Sequence, residues 1–218
     1  RPGDRVVSIK DSYGGTNKLF TEFLPPMGID VTLCNTTNHE EIEAEVAKGC
    51  TILYLETPTN PTVKIVDIER LSRAAKAVGA LVVVDNTFAT PINTNPLALG
   101  ADIVIHSASK FLGGHADALG GVACGSKTLV KKLYHYREIN GATLAPMDAY
   151  SLLGSLENKI EYGLGQYRIK DPMAAELFEL LNQKLNCLVN QMEAESILVK
   201  KMAHRMQEVN ISACGLGF

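Results

Sequence analysis

What this sequence lacks narrows its chemistry before any motif is read. Its five cysteines, Cys34, Cys50, Cys124, Cys187 and Cys214, are odd in number, irregularly spaced and free of any C-x-x-C pair. That pattern argues against a zinc site or a redox dithiol and for a reduced, intracellular setting. No apolar run approaches the length of a membrane span, and the opening Arg1-Pro2-Gly3-Asp4 carries no hydrophobic signal core. An excess of positive charge is missing as well. With 21 basic side chains against 24 acidic ones and a formal net charge of -3, there is no stripe for nucleic acid and no polybasic arm for a membrane. No strand-like run leads into G-x-G-x-x-G or G-x-x-x-x-G-K-[ST], which disfavours a nucleotide-binding domain. Repeats and low-complexity segments are absent too. These absences leave small-molecule work by a cytoplasmic protein. Without a first methionine, and entering a strand-like run at Arg5 almost at once, the chain reads as a segment of a longer one.

What is present is alternation. At 218 residues the chain suffices for one large α/β domain, or for one domain with a helical extension. Residues 5–10 read as a strand, followed by the turn Tyr13-Gly14-Gly15-Thr16 and a helix from Asn17 to about Leu24, stopped by Pro25-Pro26. A strand over Ile29–Cys34 comes next. Asn38 then N-caps a helix with Glu41 at the capping-box position, Ile42 and Val46 on one face and Gly49 at its end. Thr51–Glu56 and Ala80–Asp85 read as buried strands joined by an amphipathic helix over Ile68–Val78, a βαβ unit. Ile103–His106 supplies another strand, and Gly120–Cys124 one more, for which antiparallel pairing is open. Helices follow over Thr128–Ile139 and Asp148–Leu156. The fold class is therefore α/β, a mostly parallel sheet with flanking helices, over residues 1–153. Residues 154–218 form a helical segment, in which Leu177, Leu181, Leu185, Leu188, Met192, Leu198, Met202 and Met206 recur at mostly three-, four- and seven-residue steps between Ala174 and Val209. Such a stripe reads as a packing or oligomer face.

Chemistry concentrates in His106-Ser107-Ala108-Ser109-Lys110-Phe111-Leu112-Gly113-Gly114-His115. Lys110 stands just past the C-terminal end of a buried strand, where open α/β sheets collect ligands. Spacing alone accommodates a solvated turn equally well. Three successive strands, however, end in Glu56, Asp85 and His106-Ser107, which brings their tips to one edge. A carboxylate that ends an aliphatic strand needs a cationic or N–H partner to stay ionised, and a protonated pyridine nitrogen serves. An amine such as Lys110 together with a carboxylate such as Asp85 is the pair a pyridoxal phosphate enzyme uses. Ser107 and Ser109 could bond its phosphate. Tyr13 could stack on its ring or simply cap the core. Asn60, in the proline-stiffened Glu56-Thr57-Pro58-Thr59-Asn60-Pro61, could hydrogen-bond at the same edge or merely turn the chain. His106 and His115 stand apart from other metal-ligating residues and read as core or supporting residues.

Tyr13-Gly14-Gly15-Thr16, Glu56-Thr57-Pro58-Thr59-Asn60-Pro61, Val84-Asp85-Asn86-Thr87-Phe88-Ala89-Thr90-Pro91 and His106-Ser107-Ala108-Ser109-Lys110-Phe111, in this order, resemble the Cys/Met-metabolism family of pyridoxal phosphate enzymes. Cystathionine γ-synthase, cystathionine γ- and β-lyases, methionine γ-lyase and O-acetylhomoserine sulfhydrylase belong to it. The resemblance runs from about Asp4 to Leu153 and implies the large-domain fold of the pyridoxal phosphate transferases. It implies Lys110 as the Schiff-base lysine, Asp85 as partner of the pyridine nitrogen, and Ser107 and Ser109 as phosphate ligands. Tyr13 would stack on the ring and pass a proton to the leaving group. Asn60 would stand near the cofactor's O3′ and the substrate carboxylate. Ser109 replaces the threonine of many relatives and keeps the hydroxyl. Gly15 stands where methionine γ-lyases tend to have cysteine. The family's phosphate-binding glycine loop and the Tyr/Arg pair that reaches a neighbouring subunit lie ahead of the stretch matched here, and past Leu153 the helical remainder resembles poorly the C-terminal domain that carries the arginine clamping the substrate carboxylate. The implied activity is lysis or γ-replacement of sulfur-containing amino acids by a homo-oligomer, a dimer or tetramer, with Tyr13-Gly14-Gly15-Thr16-Asn17 leaning towards the cystathionine γ-lyase or γ-synthase type. The rival expectation is a truncated, non-catalytic α/β domain that associates through its helical tail.

Overall fold

The computed structural model describes residues 1–165. The described chain divides into two compact units, one built from Arg1–Ala89 with Asn95–Ile105 and the other from Thr90–Thr94 with residues 106–165.

Five strands organise the first unit: β1 (Arg5–Ile9), β2 (Asp30–Cys34), β3 (Ile52–Glu56), β4 (Leu81–Asp85) and β5 (Ile103–Ser107), whose last two residues pass into the second unit. All pair in parallel, β1 with β2 and β3, β3 with β4, and β4 with β5. The six strands of the described residues follow the order β2-β1-β3-β4-β5-β6, with β6 at Gly121–Gly125. Strands covered on both faces read as continuous aliphatic runs, and Leu53, Leu55, Val82 and Val84 are accordingly fully buried. The register places Glu56 opposite Asp85 at the ends of their strands.

Two helices show why the local sequence folds as it does. In α2 (His39–Ala47) Ile42 and Val46 are the buried residues, and in α3 (Ile68–Ala77) Ile68, Leu71, Ser72 and Ala75 form one stripe. Asn38 caps α2 through Oδ1, which accepts from Glu41 N–H at 3.1 Å. Its own N–H donates to the Asn35 carbonyl at 3.0 Å, so the reciprocal arm of a capping box is not formed. Arg70 on α3 binds Glu40 and Glu43 on α2 and ties the two helices together.

The helix expected over Asn17–Leu24 is different in kind. α1 begins earlier, at Gly14, and runs to Lys18, after which Leu19–Phe23 widens into a π-helical turn and Pro25–Met27 tightens into a 3-10 turn. Leu24, the last donor before Pro25 and Pro26, reaches back five residues to the Leu19 carbonyl at 3.0 Å. Phe20 on this segment meets Tyr54 edge-on at a centroid distance of 5.1 Å. Together with Val6 they form a core cluster, against which Leu24, Ile29, Val31 and Leu33 pack.

The N-terminal end of the sheet is held by one side chain. Arg5 uses all of its guanidinium N–H groups. Nε donates to Asp30 Oδ2 at 3.1 Å, Nη1 to the Glu45 and Gly49 carbonyls at 2.8 Å each, and Nη2 to Thr32 Oγ1 at 2.8 Å and Glu45 Oε2 at 2.7 Å. It thus joins β1 to β2 and to the C-terminal end of α2, leaving the other end of the sheet for loops.

The second unit contains the short α4 (Thr90–Asn93), a π-helical turn at Ala108–Leu112, β6, α5 (Lys127–Asn140) and α6 (Pro146–Gly165). Ala108, Ala118 and Leu152 form its buried cluster, with Leu112, Val122 and Leu144 packed around them. α6 begins two residues ahead of the expected Asp148, whose Oδ1 accepts from Leu119 N–H at 3.1 Å, and it passes through Leu153 without a break. The apolar stripe expected between Ala174 and Val209 lies outside the described residues. No helix among the described residues is long and apolar enough to cross a membrane.

Candidate functional site

In the first unit the chemistry lies at the C-terminal ends of β3 and β4. Glu56 is 5% exposed, and both of its carboxylate oxygens are used. Oε2 accepts from Tyr13 N–H at 2.7 Å and Oε1 from Asn60 N–H at 3.1 Å. Burial pushes its carboxyl up to about 6, the negative charge of Asp85 adds to the rise, and the two N–H groups oppose it. Beside it, Asp85 is half-buried. Its Oδ1 accepts from Thr87 N–H at 2.9 Å, and its Oδ2 from the Tyr54 hydroxyl at 3.4 Å. Burial raises the Asp85 carboxyl above the ordinary range, against the pull of the Thr87 and Tyr54 bonds. Both donors are neutral, so among the described residues this carboxylate is drawn from water without a cationic partner.

Tyr13 is 38% exposed and stands at the N-terminus of α1, where its carbonyl accepts from Asn17 N–H at 2.8 Å. Asn60 is also exposed, in a loop with cis peptides before Pro58 and Pro61. That loop is braced from within. Thr59 is buried, its hydroxyl lies 2.8 Å from that of Thr62 and accepts from Lys64 N–H at 2.9 Å. Both residues therefore sit on fixed backbone with exposed side chains.

In the second unit, Ser107 ends β5 and is half-buried. Ala108 N–H donates to the Gly120 carbonyl at 2.8 Å, and Ser109 N–H to the same carbonyl at 3.3 Å. The Ser109 hydroxyl accepts from Gly120 N–H at 2.9 Å and donates to the Gly120 carbonyl at 3.4 Å. Its principal work in the fold is thus to hold the strand entry at Gly120. Lys110 follows with φ -97° and ψ -119°, outside helical geometry, and its side chain is exposed. The Lys110 carbonyl accepts from Gly114 N–H at 2.7 Å, while Gly113 N–H donates to the Ala108 carbonyl at 2.8 Å. Gly113 has to be glycine, since a Cβ there would stand 2.9 Å from the Ala108 carbonyl oxygen. His106 is buried, and His115 Nδ1 lies 3.1 Å from both the Gly113 carbonyl and Ser155 Oγ. Among the described residues no group of three or more His, Cys, Asp or Glu side chains could hold a metal ion.

Each site residue read from the sequence is thereby located: Tyr13, Asn60 and Asp85 in the first unit, Ser107, Ser109 and Lys110 in the second. Two further residues emerge from the structure. Glu56 was legible only as the end of a strand, and Tyr54 only as one of its buried residues.

A family model described as Cys/Met metabolism PLP-dependent enzyme matches residues 1–158. The chain belongs to that family. It is 44% identical over 156 residues to cystathionine gamma-lyase of Bacillus subtilis (strain 168), covering 71% of this chain and 41% of the relative. It is 42% identical over 160 residues to L-methionine gamma-lyase of Fusobacterium nucleatum subsp. polymorphum, covering 72% and 40%. Among solved structures, cystathionine gamma synthase from Xanthomonas oryzae pv. oryzae in complex with aminoacrylate and cysteine superposes with a TM-score of 0.70 at 35% identity, and cystathionine gamma-lyase from Lactobacillus plantarum complexed with L-serine with 0.68 at 38%. Each covers 72% of this chain and 41% of the other. The chain therefore spans about two-fifths of the length of these relatives. The family's cofactor is pyridoxal phosphate, and the Cys/Met-metabolism chain described here is chemically suited to it. Among the described residues Asp85 is a desolvated carboxylate whose donors, the Thr87 N–H and the Tyr54 hydroxyl, are neutral, a setting that a protonated ring nitrogen would complement.

Proposed function

We propose that the protein is a pyridoxal phosphate-dependent lyase or γ-replacement enzyme acting on sulfur-containing or γ-substituted amino acids, of the cystathionine γ-lyase or γ-synthase type. The observation that carries this reading is the family match over residues 1–158, which contains Tyr13, Asn60, Asp85, Ser107, Ser109 and Lys110 together. Names of relatives acting on cystathionine and methionine support the substrate class.

Pyridoxal phosphate, when bound, supplies an electron sink for reactions at the α-carbon of an amino acid. The residues of this chain would take the following parts. Lys110 Nζ would hold the cofactor covalently and, once displaced by the substrate amine, take and return protons as base and acid. Asp85 would keep the ring nitrogen protonated. Tyr13 would lie against the ring and deliver a proton to the departing thiol from its hydroxyl. Asn60 would orient the substrate carboxylate, and the Ser107 and Ser109 hydroxyls would bind phosphate. For Ser109 the donor bond to phosphate would replace its long contact to the Gly120 carbonyl, while the shorter bond from Gly120 N–H stays in place. We further assign the protein to the cytoplasm, on the odd number and irregular spacing of its cysteines, and to a homo-oligomeric state, a dimer or tetramer, on the apolar stripe of its C-terminal sequence.

The test is borohydride reduction of the full chain with pyridoxal phosphate, followed by mass mapping and by assay of ammonia and 2-oxo acid release from cystathionine. A covalent label on Lys110, lost in Lys110→Ala, is the expected result. Labels scattered over other lysines, with none at Lys110, would overturn the reading.

A further inference from the structure

Glu56 stands out among the buried ionisable groups because the roles given to the other residues leave it unused. We propose that Glu56 is a positioning residue: its carboxylate, accepting one main-chain N–H from each of two loops, sets where Tyr13 and Asn60 stand at the end of β3. The inference rests on the function proposed above only in that Tyr13 and Asn60 serve the cofactor and substrate.

Geometry makes the case. Tyr13 lies 43 residues before Glu56 in the chain and Asn60 four residues after it, so one oxygen holds a distant loop and the other a local one. Both contacts are to backbone N–H groups. The Tyr13 ring and the Asn60 side-chain amide are thereby placed through their main chain, with no side-chain atom of either in these two bonds. Only a carboxylate does this. It presents an acceptor on each oxygen, whereas a glutamine in the same place would turn its own NH2 towards one of the two N–H groups. The pocket is dry as well, because Glu56 is 5% exposed, and a buried N–H that loses its acceptor is not easily rescued by water. The titratable groups that Glu56 feels are Asp85 on β4 and Tyr54 on β3, while the Tyr13 and Asn60 loops meet it with N–H donors.

Protonation offers a readout that a merely space-filling glutamate would not give. A neutral Glu56 carboxyl accepts more weakly than the carboxylate, so both amide protons should report its charge. The experiment is NMR on the isotopically labelled full chain without added cofactor, following the Glu56 carboxyl carbon and the Tyr13 and Asn60 amide protons from pH 5 to 8. We expect all three to share one midpoint near 6. In Asp85→Asn the shared midpoint should fall, because the Asp85 charge helps to raise it. In Glu56→Gln the midpoint should vanish from both amides, and at least one should exchange with solvent about tenfold faster while α3 amides keep their wild-type rates. Amides that ignore the Glu56 titration would overturn the proposal, and that arm needs no variant to fold. Pyridoxal phosphate is then titrated into wild type and Glu56→Gln at pH 7.5, with several-fold weaker capture expected in the variant. Equal capture would overturn the positioning role. Failure of the wild-type chain to label Lys110 would instead sink the function proposed above, with the amide titration still deciding the role of Glu56.

Discussion

Replacing Arg5 with methionine keeps most of the apolar stem and removes every donor of the guanidinium. Five contacts go, yet they are unequal. Asp30 is 71% exposed, and a surface pair of that kind contributes little. The Glu45 carboxylate keeps a second partner in Lys48. The substantial loss lies with the Glu45 and Gly49 carbonyls at the C-terminal end of α2 and with Thr32 Oγ1, all part-buried and all reached at 2.8 Å. Leaving a buried acceptor unsatisfied costs about 1–3 kcal/mol, and partial access of water to these three brings the combined loss to about 2–4 kcal/mol. For a chain of this size each kcal/mol moves the midpoint by about 2–4 °C, so Arg5→Met should melt roughly 4–16 °C lower. Arg5→Lys should fall between wild type and Arg5→Met, since an ammonium cannot reach β2 and the end of α2 in the same fork. Because those three acceptors are neutral, added salt should change the difference little. The assay is urea and thermal unfolding of the three proteins at low and high salt. An Arg5→Met chain within about 0.5 kcal/mol of wild type, the usual range for an inconsequential surface change, would refute the reasoning, as would a lysine variant equal to wild type.

Two further outcomes follow from the site. Glu56 titrates at about 6 in the folded chain against 4.5 as its ordinary value, so its ionisation opposes folding. Relative to Glu56→Gln, wild-type stability should be highest below pH 4.5 and fall by up to about 2 kcal/mol as pH rises through 6, and parallel urea-unfolding curves across that window would disprove it. Ser109→Ala deprives Gly120 N–H of its acceptor and should cost about 1 kcal/mol. Ser109→Thr keeps the hydroxyl and should restore most of that stability in the same thermal melt.

The strands were legible because a parallel sheet covered on both faces is written as unbroken aliphatic runs, as in Leu81-Val82-Val83-Val84. The buried stripe of α3 was equally plain. Candidate positions stood out where strands end, since Asp85 and Lys110 are conspicuous after apolar runs. What escaped were contacts between segments far apart in sequence. Nothing local to Tyr13 announces that its N–H bonds to Glu56, and nothing around Ser109 announces Gly120 as its partner. The π-helical turn at Leu19–Phe23 escaped for a different reason. Pro25-Pro26 marked where a helix ends, but a stop signal does not say whether the turn before it closes four or five residues back.

The backbone around Lys110 has a consequence for how its amine travels. Ala108, Ser109 and Gly113 are pinned by main-chain bonds, and the Lys110 carbonyl is pinned by Gly114, so the residue is mounted like an arm on a fixed pedestal. Rotation about the side-chain bonds is then the freedom these main-chain bonds leave to the amine. A group that leaves this nitrogen and later returns would meet it again in the same small volume, a first-order recapture in place of a diffusional search. Little loop entropy would be lost in the process, because that segment of chain is already ordered.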